Sequence, residues 1–283
     1  MRCLPPSTSE LLVSEAKTIL ETVRHRRNAH GHEVVLLGKE DEQEALRVIC
    51  ASFNGNANAD PEPMFDWVLG PELRGKHDHL LRVEFFHYYM RWVFLACLKF
   101  GLIFGVRDVN SRNLLACCGV LPPGRRHITN TSSFLSPSML SLFMAVGAPP
   151  PDVVKKSEFP AFTTERMSAL GAAGNAGLKH HAHEVGGREG HWYLYVMATA
   201  PEAQGRGCTR TALEAVASFT DASAYPCVLD CGSEKNVRVY SRLGYKVLGQ
   251  SKLSTDDALT RENDAPEERF MARPVASTTP AQQ

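Results

Sequence analysis

The sequence has no surplus of charge of either sign: Lys and Arg total 31, and Asp and Glu total 31. That balance argues against a nucleic-acid partner and against an anionic membrane surface, since both reward a basic excess. A long apolar run is also missing. The most apolar stretch, Trp92 to Val106, is broken by Lys99 and falls short of the about 20 residues that a membrane-spanning helix needs. The eight cysteines (Cys3, Cys50, Cys97, Cys117, Cys118, Cys208, Cys227 and Cys231) form no Cys-x-x-Cys pair and follow no scaffold-like spacing. They read as reduced thiols of an intracellular, cytoplasmic protein. The N-terminus lacks the apolar core of a secretory signal, and Glu10, Glu15 and Glu21 interrupt it where a transit peptide would be poor in acids. No internal repeat is present.

What is there is the composition of a globular chain: 283 residues, 43% hydrophobic and 22% charged, enough to bury a substantial core. Ser7-Thr-Ser-Glu10 has capping-box spacing ahead of Leu11, Leu12, Ile19, Leu20 and Val23, which predicts a short amphipathic helix. It runs into the basic group Arg24-His-Arg-Arg27, and residues 1–32 read as a helical extension appended to the main domain at 33–274. Within that domain Glu33–Leu37 reads as a strand, Glu42–Ala51 as a helix, and Asp60-Pro-Glu-Pro63 as a turn-rich break. A helix is expected from about Asp78 to Phe100, then a hairpin of two apolar runs, Gly101–Val106 and Asn113–Val120, closed by Pro122-Pro-Gly. The stretch Ser136–Val185 reads as irregular, with helical pieces at Met139–Val146 and Thr164–Leu170 and a break at Pro149-Pro-Pro151. The expected order then continues with strand His191–Ala198, helix Cys208–Ala222, strand Cys227–Cys231, helix Asn236–Leu243 and strands at Tyr245–Leu253 and Glu268–Ala272. Residues 275–283 have the composition of a disordered tail.

One junction carries chemistry. Trp192-Tyr-Leu-Tyr-Val-Met197 is aromatic and β-branched enough for a strand, and Leu213, Val216 and Ala217 have helical spacing. Between them lies Gly205-Arg-Gly207. A Walker A loop needs a Lys after its glycines, and none is there. A dinucleotide fingerprint needs a third glycine where Arg210 stands. What remains is Gln-x-x-Gly-x-Thr at Gln204–Thr209, opening a helix. Outward-pointing first-turn amides and the positive helix end suit a pyrophosphate, and an ordinary strand-to-helix turn is the competing reading.

A second segment, Ser233-Glu-Lys-Asn-Val-Arg-Val-Tyr-Ser-Arg-Leu-Gly-Tyr245, puts Asn236 and Tyr240 on one helical face. Together with Trp192–Gly207 it closely resembles the GNAT superfamily of acetyl-CoA-dependent N-acetyltransferases. There a strand precedes Gln/Arg-x-x-Gly-x-Gly/Ala, and a later Asn-x-x-x-Tyr-x-x-x-Gly-Phe/Tyr follows. The close match spans Trp192–Leu248, about a fifth of the chain. The resemblance implies an α/β fold with a mixed, mostly antiparallel sheet of about seven strands, splayed in the middle and flanked by helices. It implies acetyl-CoA as co-substrate, with no metal, and a primary amine on a small molecule or peptide as acceptor. On that basis the backbone of Met197, Ala198 and Thr199 would pair with the pantetheine arm. Gln204, Gly205, Arg206, Gly207, Cys208 and Thr209 would wrap the pyrophosphate, Asn236 would meet the cofactor arm, and Tyr240 would protonate the leaving sulfur as general acid. The sequence departs from the pattern at Thr209, where Gly or Ala is preferred, and at Cys208, a usually aliphatic position. These departures are the only support for an alternative reading as a catalytically degenerate acyl-CoA-binding or sensor domain.

The general base stays open between His191, before the central strand, and Asp230, near the end of the next one. His180-His-Ala-His183 reads as a solvated helix end or a substrate-loop element rather than a metal site, since no Cys or carboxylate at ligand spacing accompanies it. The segments expected to frame the acceptor, Phe53–Arg82 and Ser132–Val185, carry no diagnostic anion or aromatic cage. Aminoglycosides, polyamines, aryl amines and protein amines all remain open as acceptors.

Overall fold

The computed structural model describes residues 7–24, 31–56, 59–125, 144, 161–181, 183–185, 190–253 and 265–275. The helical piece expected at 139–146, the break at 149–151, the basic group beyond Arg24 and the tail beyond 275 lie outside these residues, apart from residue 144.

Ser7 and Glu10 form the expected reciprocal cap: the Ser7 amide donates to the Glu10 carboxylate (2.7 Å) and the Glu10 amide to Ser7 Oγ (3.4 Å). They open α1 (Thr8–Arg24). Its apolar stripe, Leu12, Ala16 and Leu20, is buried in the same core as the sheet, and it packs on β1 (His32–Leu36). The segment read as an appended extension is therefore packed into the domain. Next come α2 (Glu42–Asn54), the short α3 (Pro63–Val68), α4 (Leu80–Phe100), β2 (Leu102–Asp108) and β3 (Leu114–Leu121). The stretch expected to be irregular contains one continuous helix, α5 (Ala161–His180). It contains the helical piece expected at Thr164–Leu170 and extends it at both ends; being rich in Ala and Gly it lacks a clean apolar stripe, so periodicity did not reveal its full length. The chain closes with β4 (Trp192–Thr199), α6 (Cys208–Ala222), β5 (Cys227–Cys231), α7 (Glu234–Ser241), β6 (Lys246–Lys252) and β7 (Glu267–Arg273).

The seven strands form one sheet in the order β1-β2-β3-β4-β5-β7-β6. Only β4 and β5 run parallel, because α6 carries the chain back between them; the other neighbours are antiparallel. All eight residues of β3 are buried, as befits a strand covered on both faces, and α2, α4 and α6 pack against it. β6, at the edge, is largely exposed. Trp192 ties β4 to α6: its ring meets Phe219 edge-on at 5.0 Å and its Nε1 donates to Ser223 Oγ at 3.0 Å. No helix among the described residues is long and apolar enough to cross a membrane.

Candidate functional site

The centre of the sheet comes apart. β4 and β5 pair only at Trp192↔Cys227 and Tyr193↔Val228, although β4 runs on to Thr199 and β5 to Cys231. On its other side β4 stays paired to β3 as far as Thr199↔Ala116. The register shift there, from Val120↔Leu194 to Gly119↔Val196, leaves Tyr195 as an extra residue on β4. Such a bulge bends the strand and helps steer it away from β5. The result is a V-shaped gap, closed at the Tyr193↔Val228 pair and open toward the carboxyl ends of both strands, with the Tyr193 hydroxyl donating to Asp230 Oδ2 (2.8 Å) on the unpaired part of β5.

The Gly-Arg-Gly loop sits at that open end. A single 3₁₀ turn (Pro201–Ala203) follows β4, and Gly205 and Gly207 take left-handed φ values of 77° and 83° that favour glycine. Gly207 is the N-cap residue of α6, and the helical ladder starts with the Thr211 amide on the Gly207 carbonyl (3.0 Å). The amides of Cys208, Thr209 and Arg210 thus belong to the first turn, whose N–H groups have no intrahelical acceptor. Gln204, Gly205, Arg206 and Arg210 are exposed. Lys235 of α7 reaches back to Gln204 Oε1 (3.2 Å), linking the two sides at the mouth, and Arg206 lies 3.5 Å from Asp108.

Two departures from the motif acquire physical reasons. The Thr209 hydroxyl is 2.9 Å from that of Thr199, so the added side chain fastens the helix start to the end of β4. Cys208 is buried with its sulfur 3.9 Å from the His32 ring, a small apolar-like filler under α1 and β1. At the end of β4 the Thr199 amide donates to Ser52 Oγ of α2 (3.2 Å).

The residues singled out for proton transfer come from three different elements. His191 is buried (1% exposed) just before β4, at the closed end of the gap. Asp230 is half-buried and accepts the Tyr193 hydroxyl. Asn236 is exposed on α7, one turn before Tyr240. Tyr240 is half-buried, edge-on to Tyr245 at 5.8 Å. Burial, with Cys231, Cys118, Glu62 and Cys227 around it, raises its phenol well above the usual value. In the histidine cluster, His181 pairs with Glu184 (2.7 Å) and stacks on Phe270 of β7.

Sequence reasoning missed one residue altogether. Glu62, read as part of a turn, is the N-cap of α3 and accepts the Phe65 amide at 3.0 Å. Its Oε1 lies 3.0 Å from where a Cβ on Gly232 would stand, immediately after β5. Burial is the main cause that lifts its carboxyl from 4.5 to about 7; Asp66 adds to the lift, and the Phe65 and Met64 amides oppose it. The Glu62 charge in turn raises both Cys231 and Tyr240. The Glu62 carboxyl and the Tyr240 phenol, both with raised pKa, thus lie near Cys231 at the end of β5. The signal was present in the sequence only as a proline-flanked acid ahead of an apolar run.

Solved structures share this architecture. The C-terminal condensation domain of Ebony, in complex with β-alanyl-dopamine, aligns with TM-score 0.56 and 14% identity over 86% of this chain and 99% of its own. An agmatine N-acetyltransferase aligns with TM-score 0.53 and 14% identity over 86% and 98%. The polyamine N-acetyltransferase of Drosophila melanogaster, which forms N-acetylagmatine, aligns with TM-score 0.51 and 13% identity over 86% and 99%. The fold is that of the GNAT N-acetyltransferases. No protein-family model matches the chain, and no curated protein matches it in sequence.

Proposed function

We propose that the protein transfers the acetyl group of acetyl-CoA to the primary amine of a small molecule by direct attack within a ternary complex. The observation that carries this reading is the gap: two parallel strands that stop pairing after two residues, with a glycine turn and a helix N-terminus at its open end. An unpaired strand edge presents backbone donors and acceptors to an extended amide-bearing arm. On this reading Met197 contributes that edge and Thr199 its carbonyl, its amide being engaged by Ser52, whereas the backbone of Ala198 faces β3, as the Ala200 amide on the Leu115 carbonyl fixes by alternation. The amides of Gly205, Gly207, Cys208 and Thr209, with Gln204 and Arg206 beside them, receive the pyrophosphate, and Asn236 faces the cofactor arm. Holding thioester and amine together supplies much of the rate.

Proton transfer is assigned to Glu62 as base and Tyr240 as acid. A carboxylate with its pKa near 7 suits deprotonation of an ammonium better than His191 at the closed end or Asp230 under the Tyr193 hydroxyl. The Thr209 departure does not favour a degenerate binder, since its hydroxyl is taken up by Thr199. The named activities of the agmatine and polyamine enzymes support a small amine as acceptor. The decisive experiment is thiol release from acetyl-CoA across a panel of aryl, polyamine, aminoglycoside and peptide amines. Calorimetric titration with acetyl-CoA, ATP and NAD runs alongside it. Release with no amine, together with preference for ATP or NAD, would sink the reading.

Two further outcomes are expected of the loop. Gly207→Val, which puts a β-branched side chain at φ 83°, should weaken acetyl-CoA binding roughly tenfold or more, about 1.4 kcal/mol, in a protein whose circular dichroism is unchanged. Retained affinity in that folded variant removes the loop from the binding site. Thr209→Val should leave acetyl-CoA affinity intact while costing about 1 kcal/mol of stability through the lost hydroxyl pair. A collapse of affinity instead would make the hydroxyl a phosphate ligand.

A further inference from the structure

Two fully buried arginines from different helices converge on the six residues of α3. Arg82 of α4 donates to Asp66 Oδ1 (2.6 Å), to the Leu73 carbonyl (3.0 Å) and to Asn54 Oδ1 (2.5 Å). Arg166 of α5 lays its guanidinium over the Trp67 ring (4.6 Å) and donates to the Trp67 carbonyl (2.5 Å). A helix this short has no stability of its own, because nucleation costs more than one turn returns. Burying two guanidinium groups is expensive in its own right, and what such a group supplies is a defined arrangement. The arrangement here is tight at the other end too. Beside Gly232 a Cβ would stand 2.4 Å from Met64 Cγ and 3.0 Å from Glu62 Oε1, so α3 is seated on the β5–α7 link with no slack.

We propose that Arg166 is a positioning residue for proton transfer: through Trp67 it holds α3 against Gly232 and so keeps the Glu62 carboxylate at the open half of the gap. This rests on the reading of Glu62 as the base. It also makes the base depend on α5, a helix that packs on β6 and β7 as well as on α3. The groups that face Glu62 are Asp66 on its own helix, Cys231 on β5 and Tyr240 on α7. The largest influences on its carboxyl are burial, the Phe65 and Met64 amides and Asp66, and neither arginine is among them. Loss of the Arg166 charge by itself therefore leaves the Glu62 titration in place, whereas release of α3 lets water in and lowers it.

The test is Arg166→Met and Arg166→Lys in the full chain, with Glu62→Gln in parallel. For Arg166→Met, kcat is expected to fall about tenfold or more, as misplacement of a reacting group does. The acidic limb of kcat/KM should move down from near 7 toward the ordinary carboxylate range, with acetyl-CoA affinity unchanged. Arg166→Lys keeps the charge and a donor but not the flat stack, so it should fall between, and it decides the matter if the Met variant does not fold. An unmoved limb and an unmoved kcat in a folded Arg166 variant overturn the positioning role. So does a parallel fall in acetyl-CoA affinity, which marks general damage. Glu62→Gln separates the two readings: if it loses activity while the Arg166 variants keep theirs, only the positioning role fails. If Glu62→Gln retains the parent rate, the base assignment fails and the positioning role goes with it.

Discussion

Glu62→Gln is expected to lower kcat by roughly 10²–10⁴-fold, the range removed with a general base, while acetyl-CoA binds as before. An alkylamine resembles a Lys side chain, with pKa near about 10.4, so at neutral pH it arrives as the ammonium and has no lone pair to attack with. A carboxylate at its ordinary 4.5 is a weak base for that task; raised to about 7, it accepts the proton far more readily and is still about half ionised at neutral pH. The direction with pH follows. The base must be ionised, so kcat/KM should rise about tenfold per pH unit on the acidic side and level off above about 7. Gln keeps an oxygen for the Phe65 amide, so the α3 cap survives and the loss reports chemistry. A thermodynamic mark should accompany it. Because the folded carboxyl titrates above the unfolded one, its contribution to stability is fully present below about 4.5 and is lost as pH rises through about 7. The Gln variant should lack that decline. A variant that keeps the parent rate and the parent acidic limb assigns the proton to another group.

The parts of the fold that the sequence announces are those specified by local rules. The bounds of α6 and β5 coincide with expectation, and the α1 cap forms from the very residues whose spacing suggested it. Of α5 only the Thr164–Leu170 part was legible, because helices rich in Ala and Gly carry no apolar stripe, and because Arg166 reads as a surface residue unless the Trp67 carbonyl and ring are known to lie against it. Thr209 is legible in the sequence only as a departure from Gly or Ala; the partner its hydroxyl meets, Thr199, becomes visible across the turn. Glu62 is the extreme case. Its flanking prolines are legible as a turn, but its raised carboxyl depends on burial against the β5–α7 link, which only the assembled sheet brings near. Chemistry that arises from desolvation is a tertiary property and leaves little trace in local pattern.

Tyr240→Phe should lower kcat roughly 10²-fold with little effect on acetyl-CoA affinity. Collapse of the tetrahedral intermediate expels a thiolate, whose conjugate acid has a pKa near about 8.5 in water. The surroundings of Tyr240 raise its phenol above the ordinary 10, so the hydroxyl is fully protonated throughout the working range. Taken alone, that shift makes it a poorer acid. The thiolate, however, would be expelled into the same buried surroundings, where its charge is equally poorly solvated and its own proton affinity rises in step. The donor and the acceptor therefore stay matched, and a hydrogen bond that strengthens as charge builds on sulfur lowers the barrier. Phe keeps the edge-on contact with Tyr245 and deletes only the donor, so folding should be unaffected. The sharper test varies the leaving group. With acetyl donors whose thiols are progressively more acidic, departure needs less help, and the gap between Tyr240→Phe and the parent should narrow. A constant gap across such a series would show that Tyr240 supports the site by packing and that water or another group protonates the sulfur.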